Sequence, residues 1–348
     1  MQLFNKLSSK ENEELIDAEK SKRIILSFYK YAKIGNPELF RDYLYFNLNN
    51  LKVLGRIYIA SEGINAQISV LENNFSLFKS FLNSISFLKN NRLNIAVEHY
   101  NKSFLKLKVK IRKKIVSDGL NDKKFEVTNA GERLGAEDFN NLLLDSDSLC
   151  IDMRNHYESE VGHFTRAITP DVDTFRDSLS FVEKKLSKFK KNKKIIMYCT
   201  GGIRCEKASA YFKYKGFKNV FQLEGGIIEY YNQVKEKGIE NMFLGKNFVF
   251  DERRAERISA DVISICHQCG KSCDKHVNCA NEACHLLFIQ CDSCNHNMNN
   301  CCSDNCKEII NFSIEDQKKL RRGKHNSNKI FKKGRSKILK FKQNLSKS

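Results

Sequence analysis

The stretch KKIIMYCTGGIRCEKASAYFKYKG, residues 193–216, places a short apolar run, a loop with two glycines and a helix-like segment end to end. KKIIMY reads as a buried strand and EKASAYFKYKG as a helix, so Cys199 stands where a strand ends and a loop begins. The same alternation surrounds it. ERLGAEDFNNLLL (132–144) is helical, SLCIDM (148–153) is a strand, TFRDSLSFVEKKLSKF (174–189) is helical and NVFQLEGG (219–226) is a strand with a turn. Strands alternating with helices imply a parallel α/β sheet over 129–245, and such sheets gather reactive groups beyond the carboxyl ends of their strands.

The loop Cys199-Thr200-Gly201-Gly202-Ile203-Arg204 has the composition of a thiolate site. Glycines at 201 and 202 permit positive φ and let backbone N–H groups turn toward one point. A helix N-terminus together with the Arg204 guanidinium lowers a thiol pKa, and the thiolate is the nucleophilic form. A cradle of N–H donors also suits an anionic adduct on sulfur, such as a persulfide. Cys205, one residue into the helix, is either a resolving thiol or a buried one. Asp152 and Arg154 close the strand SLCIDM and belong at the same sheet edge. Asp152 reads as an ion-pair or turn residue, and Arg154 has a phosphate or Glu158, one turn on, as its partner.

Residues 21–116 carry a different pattern. RIILSFYKYA (23–32), PELFRDYLYFNLNN (37–50), RIYIA (56–60), INAQISV (64–70), FSLFKSFLNSISFL (75–88) and RLNIAVEHY (92–100) give the order βαββαβ, which suggests a ferredoxin-like domain. In LKLKVKIRKK (105–114) the period of two puts Leu105, Leu107, Val109 and Ile111 on one face and Lys106, Lys108, Lys110 and Arg112 on the other. That row of cations is a solvated edge or a platform for nucleic acid. A polar segment, 1–20, precedes this domain, and SDGLNDKKFEVT (117–128) reads as a linker.

The 348 residues allow two or three domains, and no run approaches the ~20 apolar residues of a membrane span. The charged N-terminus does not fit a signal peptide, which points to the cytoplasm and to reduced thiols. Of 13 cysteines, ten lie between Cys266 and Cys306. The C-x-x-C pairs Cys266/Cys269 and Cys291/Cys294 have the spacing that lets two thiolates reach one tetrahedral zinc, and Cys273, Cys279, Cys284, Cys301, Cys302 and Cys306 supply more ligands. His276 and His285 are possible nitrogen ligands. Two zinc ions fit this count, with Cys266, Cys269, Cys291 and Cys294 on one and Cys279, Cys284, Cys301 or Cys302, and Cys306 on the other. An iron–sulfur cluster is the alternative. The module is expected over 263–308, after a connector at 246–262. Of the net charge of +19, 13 units come from Gln317–Ser348, a stretch with no acid. Residues 309–348 therefore read as a disordered basic tail or an arm for phosphates, with Arg321 and Arg322 among its cations.

Strand, Cys, four residues, Arg and helix resemble the active loop of rhodanese domains. Related phosphatases place five residues between Cys and Arg, and the smaller ring favours sulfur chemistry. Further segments extend the likeness: SEGINAQISV (61–70), IDMRNHYESEVGHFTRAITPD (151–171), YCTGGIRCEKASAYF (198–212), LEGGI (223–227), FVFDERRAERIS (248–259) and the cysteine-rich block. Together they resemble the rhodanese-containing bacterial tRNA uridine hydroxylases from about Ile24 to Cys306. That resemblance implies oxygen-dependent hydroxylation of the wobble uridine, position 34, to 5-hydroxyuridine. It also implies Cys199 as the catalytic, persulfide-type cysteine, a tRNA anticodon loop as partner, molecular oxygen as co-substrate and an electron donor of unknown identity, with a sulfur donor as a further candidate partner. Two other readings share these residues: a sulfurtransferase carrying a persulfide on Cys199, and a non-catalytic RNA-binding zinc protein.

Overall fold

The computed structural model describes residues 5–121 and 124–322. Helix α1 (Ser9–Asp17) is started by a capping box in which Ser8 and Glu11 satisfy each other's backbone N–H groups. Then come β1 (Arg23–Tyr31), α2 (Pro37–Asn50), β2 (Leu54–Ala60), β3 (Gly63–Leu71), α3 (Phe75–Ser84), β4 (Asn94–Ile95) and β5 (Leu107–Ile111). The sheet order is β4-β1-β3-β2-β5. Its first four strands pair antiparallel, and β5 lies parallel to β2 at the edge. This is the ferredoxin-like arrangement with one strand added.

Alternation along the strands sorts the faces. Leu26, Phe28, Ile57, Ile59, Ala66, Ile68, Leu107 and Val109 share one apolar core with residues of α2 and α3. The opposite face carries Ser27, Tyr29, Tyr58, Asn65 and Gln67, which no helix of this domain covers and which line a cleft described below. The final strand is shorter than RLNIAVEHY suggests. After Ala96 donates to the Ile25 carbonyl, the Ile25 N–H is taken by the His99 ring nitrogen at 3.1 Å, so a side chain replaces the next ladder bond.

The second unit contains β6 (Glu132–Leu134), α4 (Ala136–Leu144), β7 (Ser148–Asp152), α5 (His156–Ser159), β8 (Gly162–Phe164), α6 (Phe175–Leu186), β9 (Lys194–Tyr198), α7 (Ile203–Tyr214), β10 (Asn219–Leu223) and α8 (Gly226–Lys237). Strands β6-β10-β9-β7 form an all-parallel sheet with β9 inside it. Buried Ile195, Ile196, Met197 and Tyr198 pack against helices on both faces, as a parallel sheet requires.

Residues 246–262 are no free connector. Strand β11 (Phe243–Phe248) runs through their start and pairs with β8 on one side and β12 (Ala255–Arg257) on the other. The stretch read as a linker is also anchored at its beginning, because Asp118 is fully buried and sits 3.3 Å from Lys207 Nζ. The cysteine-rich module has β13 (His276–Asn278), β14 (Leu287–Ile289), α9 (Asp292–Asn297) and α10 (Asp304–Ile309). Residues expected within a disordered tail form α11 (Ile314–Arg321), capped by Ser313, and Arg321 pairs with Glu282. The rest of the basic run lies outside the described residues.

Candidate active site and cysteine clusters

Cys199 follows β9 directly and is completely buried. The loop turns at Gly202, whose φ of 98° belongs to the left-handed region. Gly201 does not share that conformation, so one glycine makes the turn. The Gly202 N–H donates to Cys199 Sγ at 3.2 Å. Burial pushes the thiol pKa up, but the Cys205 thiol as donor, the Arg204 charge and the N–H groups of Cys205 and Arg204 together bring it down to about 6. Cys205 moves the other way: burial and its bond to Cys199 keep it protonated. The two sulfurs are therefore a thiolate acceptor and a thiol donor.

Arg204 acts on Cys199 through charge, and its guanidinium is held elsewhere. Nη1 and Nη2 donate to the two carboxylate oxygens of Glu158 at 2.6 and 2.7 Å, a buried bidentate pair. Glu158 is the partner that reasoning from the loop missed. Its signal was Asn155-His-Tyr-Glu158, a capping box that places this carboxylate at the start of α5. Arg154 consequently does not pair with Glu158. It folds back on Asp152 through bonds of 2.6 and 2.9 Å, gives one more to the Gly162 carbonyl, and lies over the rings of Tyr198 and Phe243. Both Asp152 and Arg154 are fully buried, so this pair fixes the end of β7 and points no charge into the cleft.

A second glycine supports the loop from below. Gly226 has φ of 67°, and a Cβ there would lie 2.5 Å from the Cys199 carbonyl oxygen. That close approach lets the N–H groups of Ile227 and Ile228, at the start of α8, bond the carbonyls of Cys199 and Thr200 at 3.0 and 3.3 Å.

The N-terminal sheet forms the opposite wall. Asn94 Nδ2 donates to the Gly201 carbonyl at 3.1 Å, and Tyr31 Oη donates to the Ile203 carbonyl at 3.3 Å. The fully buried Lys207 of α7 reaches Glu62 of the SEGIN turn at 2.6 Å, tying the two units together next to the loop. Between these walls lies a cleft of about 910 Å³, lined by Ser27, Tyr29, Asn65, Gln67, Phe250 and Cys199 among others. Amides, hydroxyls and aromatic rings thus surround a reactive sulfur, a suitable lining for a planar polar ring.

The cysteine-rich module gathers two tetrads among the described residues. Cys266, Cys269, Cys291 and Cys294 form one, and Cys279, Cys284, Cys302 and Cys306 the other, with the sulfurs of each within 4.8 Å of one another. Either could hold a metal ion. Cys273 and Cys301 fall outside both groups, as do His276 and His285. Cys301 is instead buried beside Phe288 in the module's apolar core. His267 and Glu160 join the module to α5 and its neighbours at 2.6 Å.

The predicted cations separate. Lys108, Lys110 and Arg112 are exposed and Lys106 is half-buried along the edge strand, whereas Arg321 is occupied by Glu282 and only Arg322 beside it stays exposed.

Comparison with known proteins gives three family matches along the chain. Residues 23–115 match the family described as UPF0176 acylphosphatase like domain, 135–233 the rhodanese-like domain and 244–307 the rhodanase C-terminal family. A tRNA uridine(34) hydroxylase of Leptospira interrogans is 52% identical over 320 residues, covering 92% of this chain and 87% of that protein. Proteins of the same name from Photorhabdus laumondii and Escherichia fergusonii are 51% and 50% identical, each over 97% of this chain and 96% of its relative. With a rhodanese-like loop, an acylphosphatase-like wall and half of all residues shared over nearly full length, the chain belongs to the tRNA uridine(34) hydroxylase family.

Proposed function

We propose that this protein hydroxylates uridine-34 of tRNA, converting it to 5-hydroxyuridine, with Cys199 as the catalytic residue. The carrying observation is the low-pKa Cys199 facing a polar cleft in a chain that shares half its residues with proteins of that name. Oxygen places one atom on C5 of the base and leaves the other as water, with two electrons and two protons from a donor outside this chain. The chain's own residues supply the binding and the nucleophile. Cys199 is held as thiolate by the Gly202 N–H, the Cys205 thiol and the Arg204 charge, and the cleft amides and rings take a base unstacked from the anticodon loop. Unstacking costs less in a loop than in a duplex, which favours a single-stranded target.

The cysteine tetrads suit zinc. A zinc–sulfur bond of ~2.3 Å implies sulfurs roughly 3.8 Å apart along a tetrahedron's edge. The separations Cys269–Cys291, Cys284–Cys302 and Cys302–Cys306 are 3.6, 3.7 and 3.8 Å. Zinc there would supply folding energy to a module with a small apolar core. We assign the protein to the cytoplasm, where tRNA is modified. No described helix is long and apolar enough to cross a membrane.

Nucleoside analysis of tRNA tests the reading. Cells without the gene should lack the 5-hydroxyuridine made by this enzyme and regain it on complementation. Unchanged 5-hydroxyuridine, together with thiosulfate-to-cyanide sulfur transfer at ordinary enzyme rates, would replace hydroxylation by sulfurtransfer.

A further inference from the structure

The cleft continues along the open face of the N-terminal sheet to its far edge. Strand register makes this face a ladder of defined rungs. Lys108 is paired with Arg56, Arg56 with Gln67, Gln67 with Ser27, and Ser27 with Asn94. Residues at matched positions of neighbouring strands point to the same face. The next rung, Lys110–Tyr58–Asn65–Tyr29, runs beside it. At ~4.8 Å per strand, Lys108 and Asn94 are about 19 Å apart. Asn94 ends the rung on the Gly201 carbonyl of the cysteine loop at 3.1 Å.

Charge is distributed unevenly along this path. Lys106, Lys108, Lys110, Arg112 and Arg56 cluster at the edge, and among the described residues no carboxylate lies within ion-pair distance of any of them. Their proximity is felt: desolvation and the charges of Lys106, Arg56 and Lys110 lower the Lys108 pKa. Arg112 lies over the Tyr58 ring, 5.3 Å from its centroid. Toward the cleft the sheet face becomes uncharged and hydrogen-bonding through Tyr58, Asn65, Gln67, Tyr29 and Ser27, and Asp251 on the facing wall is paired with Arg253. A solvated edge that merely blocks strand pairing needs one or two lysines and no polar continuation to a reactive thiolate.

We propose that the open face of the N-terminal sheet is the RNA track of this enzyme, with the backbone phosphates of the substrate loop on Lys108, Lys110 and Arg56 and the polar rungs leading one base to Cys199. The proposal rests on the hydroxylase reading for its substrate and adds the surface and polarity of binding. A flat anionic membrane fits poorly, because the charge sits on the rim of a concave, polar cleft.

The test uses the purified full chain and a synthetic anticodon stem-loop, with binding measured by fluorescence anisotropy across a salt series. Each single-strand phosphate contact contributes about 0.7 to the slope of log affinity against log salt. The triple variant Lys108→Gln, Lys110→Gln, Arg56→Gln should flatten the slope by about 2 and weaken binding at least tenfold at low salt. Its melting temperature should change little, since all three side chains are exposed and the bond from Arg56 to the Phe250 carbonyl is long, at 3.4 Å. Lys184→Gln, Lys185→Gln, Lys188→Gln, at and just beyond the far end of α6, should leave the slope alone. An unaltered slope in the first variant, an equal loss in the second, or a loss seen with phosphatidylserine vesicles instead of RNA would overturn the proposal. The slope reports backbone contact whatever chemistry follows, so missing 5-hydroxyuridine in cells would count against the hydroxylase reading alone.

Discussion

Cys199 titrates at about 6 where an ordinary thiol has 9.0, and that difference can be measured residue by residue. Each pKa unit is 1.36 kcal/mol, so the loop favours the thiolate by about 4 kcal/mol. At pH 7 roughly 90% of Cys199 should be ionised, against about 1% of an unperturbed thiol. Tryptic cleavage after Lys194 and Arg204 isolates Cys199 in the peptide IIMYCTGGIR, away from the other twelve cysteines. Iodoacetamide labelling of the native protein from pH 5 to 9, quantified on that peptide, gives the titration. Burial slows the absolute rate, so the midpoint is the quantity read. The sign is fixed: labelling should rise as pH passes 6 and level off above pH 7. The Cys205 thiol is the largest favourable contribution. Cys205→Ala should therefore shift the midpoint upward, and Cys205→Ser, which keeps a donor, should shift it less. A wild-type midpoint at or above 8, or no response to Cys205→Ala, would refute this electrostatic account.

Three further outcomes follow from the same geometry. Glu158→Gln removes the carboxylate from buried Arg204 and should destabilise the protein by about 3–5 kcal/mol in urea unfolding, the usual cost of leaving a buried charge unpaired; a change below 1 kcal/mol would show that the pair is not buried in solution. Gly226→Ala puts a Cβ against the Cys199 carbonyl and forces φ of 67° on alanine, so 5-hydroxyuridine formation should collapse while the tetrads keep their metal. Purified protein should contain two zinc ions by elemental analysis, falling to one in Cys291→Ser and in Cys302→Ser but staying at two in Cys301→Ser; bound iron or an absence of metal would reject the zinc assignment.

Short-range pattern carried much of this structure. Alternation in LKLKVKIRKK correctly separated buried Leu107 and Val109 from exposed Lys108 and Lys110, and KKIIMY before CTGGIR placed Cys199 at a parallel strand's end. Both C-x-x-C pairs fell into one tetrad. The second tetrad stayed ambiguous because Cys301 and Cys302 are adjacent in sequence and both are buried, and only the folded positions of the sulfurs put Cys302 with Cys279, Cys284 and Cys306. Partners distant in sequence were illegible. Glu62 and Lys207 are 145 residues apart, and nothing local in SEGIN announces a buried ion pair with the helix after the cysteine loop. Arg204 looked like a ligand for the sulfur because loop composition is blind to Glu158, which arrives from α5 and takes both terminal guanidinium nitrogens.

The most direct test of the central claim is the amount of 5-hydroxyuridine at position 34 in tRNA from a deletion strain complemented with Cys199→Ser at wild-type protein levels. The account predicts none above the deletion background, because a serine hydroxyl at that position cannot ionise as the thiol does. Full restoration of 5-hydroxyuridine by Cys199→Ser would remove Cys199 from the mechanism.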